Sequence, residues 1–582
     1  MAQFRTKFEN WPPLLQQVLQ IGTFDEPFNT PTDFLIFGKE DDSLVLIFQG
    51  VDLVVGDART LSGGTITSFT LLHQNETVLY EYDFISPPRA EVFQALLDFL
   101  DTGFHDFVYN VLLANFMFAE PLVVGGEEGD DYFRPGIGAD SFYGLFGSDL
   151  LDYIYEVPNN GIEVDLTAGF VRDAWGFLDQ VRSIEEFRGT DRDDLFRGAS
   201  SLNPSETGRY TYTGAGGDDT FIGGFGIDMV SYLIDGGNGR VRVDLAQGTA
   251  TDTHGDTDSF QNIEGVRGTN LGDDLLGDGQ DNVFEGMDGA DLINGRAGQD
   301  LVDYSSEKGG HGIVVNLTGD TLRNLNVPGI AITELGPYSA YDSYGNIDKL
   351  SNVEDINGTS FADHIVGNGS RNVVQGGFGN DTILGNGGND WLQGGYGDDT
   401  IDGGIGDDTL DGGIGNDSLN GGNGDDILNG DEGNDQLFAG AGNDRMNGGD
   451  GDDKLTDSEG KDVFSGGLGA DRFDFNKLSE MGNSAATRNV ITDLRLFGTP
   501  DKIDLASIDA NTLVGGDQAF TFIAATPAFS GAAGELIWTQ IDWFGTDEDW
   551  TLISGDVDGD SQSDFQIELT GLVTLTANDF IL

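Results

Sequence analysis

Between Gly376 and Asp474 a large apolar side chain returns every nine residues: Ile383, Leu392, Ile401, Leu410, Leu419, Leu428, Leu437, Met446, Leu455, Phe464 and Phe473. Most of the places between them hold glycine or polar residues. That spacing fits neither a helix face nor a long alternating strand. It predicts a short strand whose central side chain points inward, set off by a turn. Two places before each apolar residue stands an aspartate, without a break: Asp381, Asp390, Asp399, Asp408, Asp417, Asp426, Asp435, Asp444, Asp453, Asp462 and Asp471. Units such as GGYGDDTID and GGIGDDTLD show the plan. Six glycine-rich residues take a positive-φ turn that a Cβ would block, and three form the strand. One nonapeptide makes half a coil, so alternate units stack at about 4.8 Å. The aspartates then fall into two columns, one along each edge.

The same pattern surfaces earlier in shorter runs. Asp131, Asp140 and Asp149 hold the sixth place of three consecutive nonapeptides, Asp219 and Asp228 mark a pair, and Asp291 and Asp300 another. Between these runs a longer unit recurs three times. It opens at Tyr153, Tyr232 or Tyr304. An alternating stretch follows, residues 161–166, 239–245 or 312–317, and then a run ending in Gly-Thr at Thr190, Thr269 or Thr359. Val241, Val243 and Leu245 alternate as in a half-buried strand. These units are expected to be wider coils of the same solenoid, with insertions such as residues 319–344 looping off one face.

Both ends differ in texture. Residues 34–37, 44–48, 65–72 and 77–82 read as strands, Ser86-Pro-Pro opens a helix through Val92, Leu96, Leu97 and Leu100, and residues 107–118 are nearly all apolar. The expected organisation is an α+β capping or partner domain at 1–122 and three long solenoid units with short repeat runs at 123–375. A roll of eleven nonapeptides follows at 376–474, and a β-rich cap at 475–582. The fold class is mostly β, a parallel β-roll or β-solenoid.

Charge sharpens the picture. The 582 residues carry 101 Asp+Glu against 28 Lys+Arg, a net charge of −73. No such chain neutralises a phosphate backbone, which rules out a nucleic-acid binder, and the same balance argues against docking on an anionic membrane surface. No apolar run is long enough to predict a transmembrane helix. There is no cysteine, hence no disulfide and no thiolate ligand. The opening residues lack an apolar h-region, so no ordinary cleaved signal peptide is expected. The nonapeptide array alone holds 23 Asp+Glu and 4 Lys+Arg. Its stacked aspartates therefore need counter-ions. Carboxylate oxygens, with glycyl carbonyls such as those of Gly377, Gly379, Gly395, Gly397, Gly404, Gly406, Gly413 and Gly415, suit a hard cation, and calcium fits their loose geometry best.

With these residues in place, the array resembles the RTX calcium-binding β-roll, whose consensus is Gly-Gly-x-Gly-x-Asp-x-apolar-x. The resemblance implies several calcium ions held between successive turns. Asp457-Ser458-Glu459 departs from it where glycines should lead. The longer units are similar to those flanking nonapeptides in secreted alginate epimerases and bacterial adhesins. From Gly466 onward, Gly469-Ala-Asp-Arg-Phe-Asp-Phe475, Asp501-Lys-Ile-Asp-Leu505 and the closing Asn578-Asp-Phe-Ile-Leu582 resemble the C-terminal domain of serralysin-type proteases. In that family this domain caps the roll and carries an uncleaved signal read by a type I secretion machine. That implies an extracellular or cell-surface location in a Gram-negative bacterium. Asp556-Val-Asp-Gly-Asp560 with Asp564 has the alternating carboxylates of a calcium loop. Ser561 stands where glycine is expected and no Glu follows at the twelfth place, so an acidic hairpin reads equally well.

No enzyme signature accompanies the likeness to proteases. The five histidines are His73, His105, His254, His311 and His364, and no two are four apart, so His-Glu-x-x-His is absent. Gly-x-Ser-x-Gly and a phosphate-binding loop are absent too. Trp391 falls on an outward position of the roll, available to a sugar or simply packed on the surface. The leading expectation is a non-catalytic protein that assembles, with calcium, into a surface layer, filament or matrix by self-association. The alternatives are an adhesin or carbohydrate-binding module contacting a cell-surface glycan, and a lyase or hydrolase acting on an acidic polysaccharide, with its site in residues 1–120 or on the solenoid face.

Overall fold

The structure is a computed structural model. It describes four N-terminal strands, Asp33–Phe37, Val45–Val55, Leu61–Leu72 and Val78–Asp83, and residues 123–582 except 126–128, 136–137, 157–159, 201–207, 326, 328, 495–499, 525–527 and 543–548. The four strands make an antiparallel meander in chain order. They overlap the strands expected at 34–37, 44–48, 65–72 and 77–82. The expected helix after Ser86 and the apolar stretch 107–118 lie outside the described residues. The chain divides into two compact units, residues 1–228 and 229–582.

In the second unit the nonapeptides wind as a parallel β-roll. One face stacks Thr382–Leu384, Thr400–Ile405, Ser418–Asn423, Gln436–Ala441, Lys454–Thr456 and Arg472–Asp474. The other stacks Val373–Phe378, Trp391–Tyr396, Thr409–Ile414, Ile427–Glu432, Arg445–Asp450 and Val463–Leu468. Every strand pairs with the one 18 residues on, as Leu392 does with Leu410, so two nonapeptides complete one coil. The eighth-position side chains from Ile383 to Phe473 are all buried, and they form the thin core between the faces.

The strands are longer than the expected three residues. Most run six, from the seventh position of one repeat through the third of the next, which leaves a turn of three such as residues 397–399. The cause is the glycines: with no side chain to separate the coils, their backbones continue the ladder, Gly377 opposite Gly395 and Gly395 opposite Gly413. The fourth position is glycine in all eleven repeats. Gly397 shows why: its φ is 132°, and a methyl group there would collide with the carbonyl oxygen of Gly379 in the coil before.

The wide units keep the parallel pairing and add antiparallel hairpins. In the first unit of the chain, Phe170–Arg172 runs antiparallel to both Glu163–Asp165 and Leu178–Arg182, and the last of these returns parallel to Ser141–Tyr143. Arg242–Asp244, Thr249–Thr251 and Thr257–Gln261 repeat this plan. The third copy uses Val314–Asn316, Ser339–Tyr341 and Ile347–Ser351, and its insertion carries an extra two-stranded ribbon, Leu322–Arg323 with Glu334–Leu335. At the C-terminus Asn489–Ile491 and Lys502–Asp504 extend the two faces. Phe565–Thr570 then adds to the first of these strands and Phe580–Ile581 to the second. The antiparallel strands Glu535–Ile541 and Trp550–Asp556 cover that end further. Among the described residues the only helical pieces are the short turns Leu478–Glu480 and Ala577–Asp579.

Candidate metal centre

The three-residue turns place each sixth-position aspartate at an edge of the roll with its carboxylate turned inward, and all eleven are buried. Asp381, Asp399, Asp417, Asp435, Asp453 and Asp471 follow one edge; Asp390, Asp408, Asp426, Asp444 and Asp462 follow the other. Within each column the backbone N–H of one aspartate donates to Oδ1 of the aspartate 18 residues later, at 2.7–3.0 Å. Asp363 and Asn372 join the heads of the columns in the same way, both at 2.7 Å. Asn489 and Asp501 supply the last acceptors, at 2.8 and 3.2 Å.

The second oxygen is the decisive atom. Oδ2 of every one of the eleven is buried and has no hydrogen-bond partner. Beside it lies a first-position glycine. A methyl group on Gly403 would stand 2.5 Å from Asp408 Oδ2 and 2.6 Å from the carbonyl oxygen of Gly421 one coil on. Gly376, Gly385, Gly394, Gly412, Gly430 and Gly448 stand in the same relation to their own aspartate and to the glycine 18 residues later. An ionised oxygen and a carbonyl oxygen thus border a space that only the missing Cβ keeps open. Burial pushes the aspartates up: Asp381 to about 8, Asp390, Asp417, Asp444 and Asp453 to about 7, and Asp399, Asp426 and Asp471 to about 6. Rows of buried anionic oxygens, lined by carbonyls and without cationic partners on Oδ2, fit a hard divalent ion.

The family model of the RTX calcium-binding nonapeptide repeat (4 copies) matches residues 125–152, 213–230, 267–302, 357–392, 384–419, 411–446, 420–455 and 447–476. These stretches are RTX calcium-binding nonapeptide repeats. Comparison with curated proteins finds no match. RTX nonapeptides bind calcium, several ions to a chain, and the orphaned Oδ2 atoms with the neighbouring carbonyls are donors of the right chemistry for it.

Two departures from the RTX consensus have visible consequences. In the eighth repeat Ala439 takes the first position, so a methyl group occupies what is open space elsewhere. In the tenth, Asp457 takes it and brings a second buried carboxylate, accepting from Asn489 Nδ2 at 2.6 Å through Oδ1 while its Oδ2 has no partner. Burial and the charge of Asp462 hold Asp457 well above the usual carboxylate range.

The short RTX runs obey the same rule. Asp131 donates to Asp149 Oδ1 at 2.8 Å and Asp140 to Asp179 Oδ1 at 2.8 Å; Asp219 Oδ1 accepts from Asp194 at 2.7 Å. Asp228 instead accepts from the Tyr212 hydroxyl at 2.9 Å and the Gly224 N–H at 2.6 Å. Asp291 accepts from Asp273, and Asp300 from Asn282, at 2.7 and 2.9 Å. Oδ2 of Asp149, Asp291 and Asp300 is buried without a partner, as in the main array. The second-position glycines Gly377, Gly395, Gly404 and Gly413 have φ of 99–109°, and the fourth-position Gly379, Gly397, Gly406 and Gly415 have φ of 129–151°.

The sequence reading passed over the first-position glycines, although nine of the eleven repeats show one. It also missed Asp273, Asp363, Asn282 and Asn372, which carry the columns into the wide units where the nonapeptide period is broken. In the C-terminal loop, carboxylate oxygens of Asp556, Asp558 and Asp564 lie within 4.8 Å of one another, and Ser561 takes the positive φ, 69°, at which the loop pattern has glycine. Trp391 is 46% exposed. The described histidines, His254, His311 and His364, lie on separate coils.

Proposed function

We propose that this RTX protein is a secreted, non-catalytic structural component of the cell exterior, which folds on meeting calcium and assembles there with copies of itself. The observation that carries the reading is the pair of orphaned carboxylate columns. A chain with eleven such oxygens stays open where calcium is scarce, as in a cytosol, and closes where it is near millimolar. The folded roll then presents straight faces with an apolar strip. Phe378, Tyr396 and Ile414 stand in register on one face, 57%, 51% and 42% exposed, and the first two rings stack at 4.6 Å. Such a strip suits lateral packing of identical rolls. Export by a type I machine rests on the likeness of the C-terminal region to the serralysin cap. RTX repeats are themselves typically non-catalytic.

The same aromatic strip, with Trp391 exposed at the other end of the Tyr396 strand, supports a second reading in which the roll grips a glycan by stacking. Electron microscopy and light scattering in chelator and at millimolar calcium separate the two. Sheets, tubes or filaments that form only with calcium support assembly. Monomers at both calcium levels refute it, and binding to a glycan array is the next measurement.

A further inference from the structure

The three wide units share an arrangement that the eleven-repeat array lacks. In each, a buried tyrosine hydroxyl donates to a buried aspartate: Tyr153 to Asp179 at 2.9 Å, Tyr232 to Asp258 at 2.8 Å, Tyr304 to Asp348 at 3.3 Å. Three residues after each tyrosine stands an acid: Glu156, Asp235 or Glu307. Six residues before each of those aspartates stands another: Asp173, Asp252 or Asp342. All six of these acids are more than nine-tenths buried.

One oxygen of every acid is fixed by the fold. Glu156 Oε2 accepts the Ala174 N–H at 2.8 Å, Asp235 Oδ2 the Thr253 hydroxyl at 2.5 Å, and Glu307 Oε2 the Ser343 N–H and hydroxyl at 3.1 and 2.7 Å. Each of these donors directly follows the partner aspartate in sequence, so the two acids of a pair are held side by side. Oδ1 of Asp173 accepts the Phe177 N–H at 2.6 Å. Oδ1 of Asp252 caps the turn through residues 254–256 with three bonds of 2.7–2.9 Å, and Oδ1 of Asp342 does the same through residues 344–346 at 2.6–3.1 Å. Gly176, Gly255 and Gly345 turn at nearly one φ, 93°, 94° and 101°.

Asp342 Oδ2 accepts from Asn346 Nδ2 at 3.1 Å, but four of the six remaining oxygens have a different fate. Glu156 Oε1, Asp173 Oδ2, Asp252 Oδ2 and Glu307 Oε1 are buried with no hydrogen-bond partner. In the middle unit the ligand atoms of Asp235, Asp252 and His254 lie within 4.8 Å of one another, and His254 Nδ1 is 3.6 Å from a carboxylate oxygen of each acid. Paired buried acids with uncommitted oxygens are costly without a counter-charge. One repeat could be an accident of packing. Three repeats, with the same sequence offsets, the same glycine turn and the same backbone donors, are a built site.

We propose that each wide unit binds its own divalent cation between its two acids, and that donor hardness makes it calcium. The sites are Glu156 with Asp173, Asp235 with Asp252, and Glu307 with Asp342; His254 stands beside the second pair. They are separate from the nonapeptide columns: none of these residues belongs to the repeating sixth position, and none donates or accepts in the 18-residue ladder. Each ion fastens the turn after the tyrosine to the turn of the hairpin that follows, fixing how the insertion leaves the coil. The competing arrangement is a proton shared by each pair.

The test uses the full chain with Glu156→Gln, Asp235→Asn and Glu307→Gln combined. These changes keep an acceptor for Ala174, Thr253 and Ser343. After dialysis against millimolar calcium, bound metal is counted by mass spectrometry and folding is followed by circular dichroism. The expected result is a native spectrum with three fewer calcium ions per chain than the parent. An unchanged count overturns the proposal and leaves proton-sharing pairs. A second reading does not need the triple variant to fold. Trp175 stands two residues after Asp173, so terbium in the first pair is excited through it. Glu156→Gln alone should lower that tryptophan-sensitised emission, and equal emission from parent and variant overturns the site. Neither outcome depends on whether the protein assembles.

Discussion

Removing calcium should unfold the roll at neutral pH, and acid should fold it again. The magnitude follows from the eleven orphaned Oδ2 atoms. A buried, unsatisfied polar atom costs about 1–3 kcal/mol, and more when charged, so the array carries a penalty on the order of 10–30 kcal/mol. A whole domain is stable by only about 5–15 kcal/mol. Without cations, the ionised roll is therefore not the stable state. The sign of the pH effect comes from the aspartates, which burial raises from an ordinary 3.8 to about 6 for Asp399, about 7 for Asp417 and about 8 for Asp381. A carboxyl whose folded value is raised favours the folded state fully below its unfolded value, near pH 4, and loses that contribution as pH climbs through the folded value. The calcium-free roll should thus gain β structure on acidification from pH 8 to about 5.5, the same change that millimolar calcium produces at pH 8. The assay is far-ultraviolet circular dichroism in buffer stripped of calcium on a chelating resin, because soluble chelators weaken in acid. Full β content at pH 8 without calcium would refute the reasoning.

Three further outcomes test the geometry. Asp417→Asn should keep the 18-residue ladder, since Asn489 already accepts from Asp462 in that role. It should nevertheless lower the bound-calcium count and move the calcium midpoint of folding upward several-fold, read by titration calorimetry and circular dichroism. Gly397→Ala forces a methyl group at φ 132° onto the Gly379 carbonyl; it should destabilise the calcium-loaded protein by about 1–3 kcal/mol, seen as a lower Tm at fixed calcium. Leu419→Ala opens the thin core at a fully buried position. It should cost about 2–5 kcal/mol in denaturant unfolding, with calcium stoichiometry unchanged once folding is restored by excess ion.

The roll was legible because its period is short and every unit repeats the same two obligations, an acid at the sixth place and an apolar residue at the eighth. Strand limits were less so. A glycine pair reads as turn in isolation, and it joins the strand only because the coil 18 residues away offers its backbone in register, as Gly377 and Gly395 do. The hairpins of the wide units were hidden for a related reason. Thr249–Thr251 carries one buried side chain, Ala250, which is too little apolar signal to announce a strand. Oxygens without partners leave no mark in sequence at all. The acids at 156 and 173 look like any others in a chain with 101 Asp+Glu until the backbone shows which of their lone pairs are already used.

The ladder of carboxylates has a direction. In both columns the donor is the earlier residue and the acceptor the later one, from Asp363 through to Asp501 on one edge and from Asn372 to Asn489 on the other. Glu354 accepts from Asp300, and Glu185 from Asp149, in the same sense. The exposed fifth-position links run the opposite way, Asp398 to Asn380 at 3.2 Å, but water can replace those. Each coil is therefore finished by its successor. A new coil finds a ready partner only on the N-terminal side of one already closed, and Asn489 and Asp501 are where acceptors first exist without another nonapeptide behind them. The protein is in this sense a one-way zipper with its starting stop at the C-terminal end, and a chain released into calcium from that end would meet its template before its bulk.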